Sequence, residues 1–263
     1  MALVSLSIYL LNPWIGAIAL NTLFLGLIGW SPKKLLTPTG IIHAWILGVL
    51  IWGSLGWRGY LVVGCYFLVG SGVTRIGLAA KEAAGIAEKR SGARGPENVW
   101  GSALVAALCA LGILLLPWLS LDAKTIAPLL LLAYIASFST KLADTCASEV
   151  GKAYGQRTFL ITTLQPVPRG TEGAVSLEGT LAGLVAALAI ALLGWAVGMI
   201  TLPDIGICVL AAFIATNIES VIGATLQTQL HWLTNEMVNV LNTAIGAIVA
   251  VGIAWVGHQW GLF

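Results

Sequence analysis

The residues of this chain best suited to chemistry lie in one stretch, KLADTCASEVGKAYGQRTFLITTLQPVPRGTEGAVSLEGTLAG at 141–183. Lys141, Asp144 and Ser148 stand at i, i+3 and i+7, on one face of a helix. Asp144 falls at the end of an apolar run, where an acid is costly and is normally ion-paired, metal-bound or functional. Lys141 is the nearest ion-pair partner. Glu149, five residues on, lies off that face and joins it only if the helix ends there, a chance that Gly151 and Gly155 supply. PRGTEG at 168–173 then leads into a long apolar segment from Ala174. Glycines ahead of a helix N-terminus expose backbone N–H groups that, with the helix dipole, receive anions. Arg157 and Arg169 bracket this loop and can each offer two donors to a phosphate. Ser148, Arg157, Arg169, Gly170, Thr171, Glu172 and Gly173 are therefore candidates for binding a phosphate or a nucleotide. No GxxxxGK[ST] and no GxGxxG is present.

A second polar loop, RIGLAAKEAAGIAEKRSGARGPENV at 75–99, is amphipathic and cationic through Lys81, Lys89, Arg90 and Arg94. Pro96 suits the first turn of the next helix, with Glu97 and Asn98 beside it. The loop reads as a lid whose cations meet lipid or nucleotide phosphates, or as a solvated interfacial helix. Further on, Asn217, Glu219 and Ser220 close one apolar run. Asn235, Asn239 and Asn242 follow at i, i+4 and i+7 of the next. Such carboxamides either bond between helices or, with Glu219, line a metal or phosphate site. His43, His231 and His258 show no ligand spacing. The four cysteines lie far apart without a CxxC, which points to small hydrophobes rather than a disulfide framework or zinc site.

The elements that must position these residues are membrane spans. The chain has 263 residues, 58% hydrophobic and 9% charged, with 13 Lys+Arg and 11 Asp+Glu. A soluble domain of this length carries roughly 65 charges, so a soluble enzyme, a disordered regulator and a nucleic-acid binder are excluded. The pattern predicts an all-α polytopic bundle of about eight spans, within a range of about seven to nine. They are placed at 5–30, 40–56, 59–76, 100–118, 125–143, 175–200, 204–226 and 239–260. The start, MALVSLSIYLLNPW, has no basic n-region and reads as a retained span rather than a signal peptide. Trp30, Trp57, Trp118 and Trp232 mark span ends. Eight spans put Lys33, Lys34, Arg75, Lys81, Lys89, Arg90, Arg94, Lys141, Lys152, Arg157 and Arg169 on one side, against Arg58 and Lys124 on the other. That asymmetry makes the rich side cytoplasmic and leaves both termini on the non-cytoplasmic side. The acids divide likewise: only Asp122 and Asp204 lie opposite. The whole chain is one membrane domain, with loops 77–99 and 144–174 forming a polar face toward the cytoplasm.

ADTCASEVG at 143–151, LITTLQPVPRGTEGAVSLEGTLAG at 160–183 and KRSGARGPENV at 89–99 resemble the membrane prenyl-phosphate kinases, which include the phytyl-phosphate kinases and the animal transmembrane protein 19 group. The likeness runs from about residue 12 to 245. More distantly, Asp144-Thr145-Cys146-Ala147 and Gly170-Thr171-Glu172-Gly173 resemble elements of dolichol kinases, phytol kinases and CTP-dependent cytidylyltransferases. The Lys-Ser usual in the alcohol kinases is replaced here by Arg169-Gly170, which favours the phosphate-kinase branch. The resemblance implies transfer of a phosphoryl group from a nucleoside triphosphate, CTP or another, to an isoprenyl monophosphate such as phytyl phosphate. The product, phytyl diphosphate, would supply tocopherol and prenylquinone synthesis from salvaged phytol.

On that expectation Mg2+ is the cofactor, with Asp144, Glu149 and Glu219 as candidate ligands. Asp144, Lys81 and Arg94 are the candidate catalytic group, and Asn98, Asn217 and Asn239 join the phosphate-binding set. The partners are an isoprenyl monophosphate, a nucleoside triphosphate and membrane lipid, with no nucleic acid and room for a homodimer. The location is a cell or thylakoid membrane. The alternatives are a polyprenol or phytol kinase, a lipid cytidylyltransferase and, in another class, a small-solute transporter. A transporter would place polar residues near the bilayer midplane and show an internal repeat.

Overall fold

Nearly every helix starts where the sequence offers a capping side chain or a proline. The computed structural model describes residues 12–31, 34–230 and 232–260. Residues 5–11 of the first expected span, Lys33 and His231 lie outside them. In chain order the elements are α1 (Pro13–Trp30), α2 (Pro38–Thr74), α3 (Leu78–Ala83), α4 (Pro96–Leu115), α5 (Ala123–Tyr154), β1 (Thr158–Leu160), β2 (Ala174–Ser176), α6 (Leu177–Ala196), α7 (Leu202–Ala224), α8 (Leu226–Gln229) and α9 (Asn235–Gln259). Asn12, Thr37, Asp122, Ser176 and Thr234 accept backbone N–H groups at the starts of α1, α2, α5, α6 and α9. These bonds satisfy donors that a helix start leaves open. The expected all-helical chain gains one exception: β1 and β2 pair antiparallel, with Thr158 opposite Ser176.

Among the described residues seven helices are long and apolar enough to cross a membrane. One of them, α2, has 37 residues and is broken at Gly56 (φ 66°, ψ −163°). Its two ends meet, because Arg75 Nη2 donates to the carbonyl of Lys34 at 2.9 Å. The halves therefore run antiparallel, and the expected spans 40–56 and 59–76 form a helical hairpin. Trp30, Trp57, Trp118 and Trp232 are all exposed near helix ends, where an amphipathic ring suits the headgroup region.

At the centre stands α5, the most buried of the seven. At about 1.5 Å per residue its 32 residues span ~48 Å, well beyond a hydrocarbon core of roughly 30 Å. It runs eleven residues past the expected end at 143. Small residues bring its neighbours close, since apolar side chains gain little by leaving lipid and packing must do the work. A Cβ on Gly179 or Gly183 of α6 would lie 2.5 or 3.0 Å from the carbonyl oxygens of Ala147 and Ala143, and one on Gly246 of α9 would lie 2.0 Å from Thr140 Oγ1. The GTLAG stretch is thus a packing surface.

The backbone at Gly56 lies in a region open essentially to glycine alone, where another residue costs about 1–3 kcal/mol. Gly56→Ala should lower the thermal midpoint of the detergent-solubilised protein. Gly252→Ala, at a helical site with no neighbour within 4 Å, should leave that midpoint unchanged or raise it.

Candidate functional site

The polar segments converge at one end of the bundle. Lys81 of α3 bonds Glu149 of α5, Lys152 of α5 lies 3.8 Å from Glu88, and Lys141 of α5 bonds Asn239 of α9 at 2.8 Å. The backbone N–H of Gln156 donates to Glu178 of α6 at 3.2 Å. These contacts join the loops 77–95 and 155–176 to the ends of α5, α6 and α9.

Two carboxylates on α5 organise this end in two separate clusters. In the first, Lys141 Nζ bonds Asp144 Oδ2 at 2.5 Å and Asn239 Oδ1 at 2.8 Å. Lys141 and Asn239 are buried, whereas Asp144 stays partly open. Glu219 of α7 is near enough to interact electrostatically with Asp144, Lys141, Glu172 and Lys152. Beside it, Thr216, Asn217 and Ser220 of α7 line a cavity with Ala143 and Ala147 of α5. Ser148, on the same side of α5, is exposed.

The second cluster holds Glu149. Because α5 stays helical to Tyr154, five residues carry Glu149 about 140° around the axis from Asp144. The helix end that would have joined them does not come until Gly155. Glu149 is instead buried against Lys81, which also donates to the carbonyl of Thr74 at 2.9 Å, with Lys152 3.6 Å away. Of the two acids expected to assist Asp144, the structure brings Glu219 and directs Glu149 elsewhere. Lys81 likewise belongs to this second cluster, where it ties the 77–95 loop to α5. Among the described residues no three His, Cys, Asp or Glu side chains gather around a common point. A magnesium ion on a triphosphate needs only one or two protein carboxylates, and the oxygens of Asp144 and Glu219 are donors of the hard type it takes.

The rest of the cationic loop is largely engaged with itself. Arg90 pairs with Glu97 and donates to Asn98 Oδ1 at 2.8 Å, and Asn98 also accepts the N–H of Gly95 at the start of α4. Asn98 is thereby a helix cap. Arg94 differs. Its backbone brackets Leu36, donating to Leu35 and accepting from Thr37 at 3.0 Å each. Its side chain enters the bundle, where Nη1 donates to Tyr66 Oη at 2.6 Å and the guanidinium lies over the Tyr66 ring at 5.1 Å. No carboxylate pairs with Arg94 among the described residues. Tyr66 was not evident as a site residue, because a lone tyrosine in an apolar span carries no signal in its spacing.

The PRGTEG loop is a tight turn held over the same end. Thr171 N–H and Oγ1 both bond the Pro168 carbonyl. A Cβ on Gly170 would lie 2.6 Å from Ile86, and one on Gly173 (φ 75°) 2.5 Å from the Ser220 carbonyl. The turn is therefore seated between the 77–95 loop and α7. It does not open a helix directly as expected: β2 intervenes, and α6 starts at Leu177 with its own Ser176 cap and Glu178 in the first turn. Arg157 and Arg169 are exposed, and Arg169 donates to the Ala153 carbonyl at 3.2 Å.

Removing one partner of a buried ion pair leaves a bare charge at a cost of about 3–5 kcal/mol. Lys81→Met and Glu149→Gln should each lower the thermal midpoint in detergent strongly. The double variant Lys81→Met/Glu149→Gln should recover much of the loss, as a double-mutant cycle would reveal.

Residues 20–247 match the family described as integral membrane protein DUF92. An uncharacterized membrane protein of Synechocystis sp. is 65% identical over 92% of this chain and 91% of its own length. The chloroplastic protein VTE6 of Arabidopsis thaliana is 45% identical over 90% of this chain and 71% of its own. An uncharacterized membrane protein of Methanocaldococcus jannaschii is 32% identical over 83% and 86%. No solved structure matches. With this family matched over most of its length, and with its apolar helices and single charged end, the chain belongs to the DUF92 integral membrane protein family.

Proposed function

We propose that this protein transfers the terminal phosphoryl group of a nucleoside triphosphate, CTP foremost, to an isoprenyl monophosphate, phytyl phosphate foremost, with the charged end facing the cytoplasm. The observation that carries the reading is the Asp144 cluster: a partly open carboxylate beside Lys141 and Glu219, next to a cavity into which Thr216, Asn217 and Ser220 bring polar groups, at the bundle end where the PRGTEG turn sits. Similarity to a chloroplastic plant protein over most of the chain, and the resemblance to prenyl-phosphate kinases, support placing it in isoprenoid metabolism, with phytyl diphosphate passing to tocopherol and prenylquinone synthesis. A transporter reading is less favoured, because charge gathers at one end rather than at the midplane.

The chemistry suits these residues. Phosphoryl transfer asks mainly for positioning and charge neutralisation. A phosphate monoester has its second pKa near 6 and is already dianionic at neutral pH, so the protein need supply no strong base. A substrate phosphate oxygen bonds to the γ-phosphorus, the bond to the β-γ bridging oxygen breaks, and that electron pair leaves with the nucleoside diphosphate. Asp144 and Glu219 would hold Mg2+, which when bound neutralises triphosphate charge. Lys141 fixes the Asp144 carboxylate, and Arg94 and the 168–173 turn face the phosphates.

The decisive experiment supplies purified protein with phytyl phosphate, Mg2+ and each nucleoside triphosphate, followed by mass spectrometry. Phytyl diphosphate with nucleoside diphosphate is expected. A CDP-lipid with pyrophosphate, or phosphorylation of phytol alone, would assign one of the other activities. Asp144→Asn should abolish turnover and leave the fold intact, because the amide oxygen still accepts from Lys141 and Glu219 remains as counter-charge. Unchanged turnover in that variant would remove Asp144 from the metal site.

A further inference from the structure

A second cavity lies among α1, both halves of α2 and α4, away from the α5–α7 site. Its walls are almost wholly apolar and include Phe24, Leu25, Leu47, Val63, Phe67 and Val99. One end is closed by Tyr60, which donates to Asn21 Oδ1 at 2.7 Å. The other end is formed by Tyr66 and Arg94.

Three observations bear on its occupant. First, Arg94 brings a full charge into an apolar groove with no carboxylate partner among the described residues. Among the described residues its side-chain hydrogen bond is to Tyr66, supported by the rings of Tyr66 and Phe67 at 5.1 and 6.0 Å. A guanidinium carries five donors and suits a phosphate in two-point contact. Second, the groove adjoins α5 through Tyr66. Tyr66 stacks on Phe138 of α5 at 5.2 Å and lies within electrostatic range of Lys141. Third, Gly64 lines the groove and a Cβ there would meet nothing within 4 Å. A helical glycine costs about 1 kcal/mol relative to alanine, and here no neighbouring chain uses the space it leaves.

We infer that this groove holds the phosphate-proximal part of the isoprenyl chain, with Arg94 receiving the lipid phosphate and presenting it toward Asp144. The inference rests on the prenyl-phosphate kinase reading for the identity of the lipid. An apolar chain carrying one anionic head matches both halves of the cavity: hydrocarbon walls along its length and an uncompensated cation at the end nearest the chemistry. The stretch of helix between Tyr60 and Tyr66 is short, roughly 9 Å over six residues, so the distal chain passes between helices into the bilayer.

The test uses the full chain in lipid nanodiscs and an isoprenyl monophosphate carrying a photoreactive group near its phosphate. Crosslinks should map to α1, α2 and α4, and phytyl phosphate should suppress them where phosphatidic acid does not. Gly64→Leu fills the groove without touching the Asp144 cluster. It should raise KM for phytyl phosphate by about tenfold or more, since filling displaces one to two methylene equivalents of contact, and labelling in the groove should fall with it. Crosslinks mapping elsewhere, equal suppression by phosphatidic acid, or an unchanged KM in a Gly64→Leu protein that is labelled as before would each overturn the assignment. A protein that turns over no isoprenyl phosphate yet is labelled in the groove, with labelling lost in Gly64→Leu, would overturn the kinase reading and leave the groove standing as a lipid-phosphate site.

Discussion

A charge taken out of water into an apolar bundle must be met by a counter-charge, and the cost of failing is several kcal/mol. Two acids on α5 impose that demand here. Asp144 is answered from its own helix by Lys141, whose ammonium also donates to Asn239 of α9. Glu149 is answered from α3 by Lys81. Because the two acids point to different sides of one rigid helix, the neighbouring elements are drawn to different sides as well. The 77–95 loop is held where Glu149 points, while α9 and α7 gather where Asp144 points. The 77–95 loop and the Asp144 cluster are thus positioned by the same helix.

Close packing makes those electrostatics geometrically possible. Gly179 and Gly183 let α6 lie against the backbone of α5, and Gly246 does the same for α9. Larger residues would push the helices apart, and Lys141 could no longer reach Asn239. The PRGTEG turn fits on top only because Gly173 approaches α7 at the Ser220 carbonyl. Small side chains and buried charges therefore act together: the former set the spacing, the latter choose the rotation.

Much of this was legible in the sequence, and the limits have physical causes. The spans follow from hydropathy alone, and the hairpin in α2 was visible because GWRG interrupts an apolar run. The end of α5 was not, since the polar residues after 143 look like a loop when their burial depends on α3 and α6. That misplaced end decided the fate of Glu149: a helix that stops early puts it beside Asp144, and one that continues turns it away. The pairing of Lys141 with Asp144 was readable from helical spacing, whereas the bond from Lys141 to Asn239, 98 residues away on another helix, was not. The link between Arg94 and Tyr66 was not, because it joins residues 28 apart whose meeting depends on the α2 hairpin. Similarly, PRGTEG was recognisable as a turn, but the short β ribbon between it and α6 left no period to read.

The uneven distribution of charge also bears on how such a chain enters a membrane during synthesis. The connections at the lightly charged end are brief: the break at Gly56, the turn after Leu115 and the one after Ala196. The formal charges there are Arg58, Asp122, Lys124 and Asp204. An ionised side chain at the middle of a helix costs the insertion machinery about 2.5–3.5 kcal/mol. A chain delivered as successive helical pairs, tips first, has few such side chains to carry across. In the proposed orientation the groups of the charged end stay on the side of synthesis, and they pair with one another only after the helices that bear them are in place.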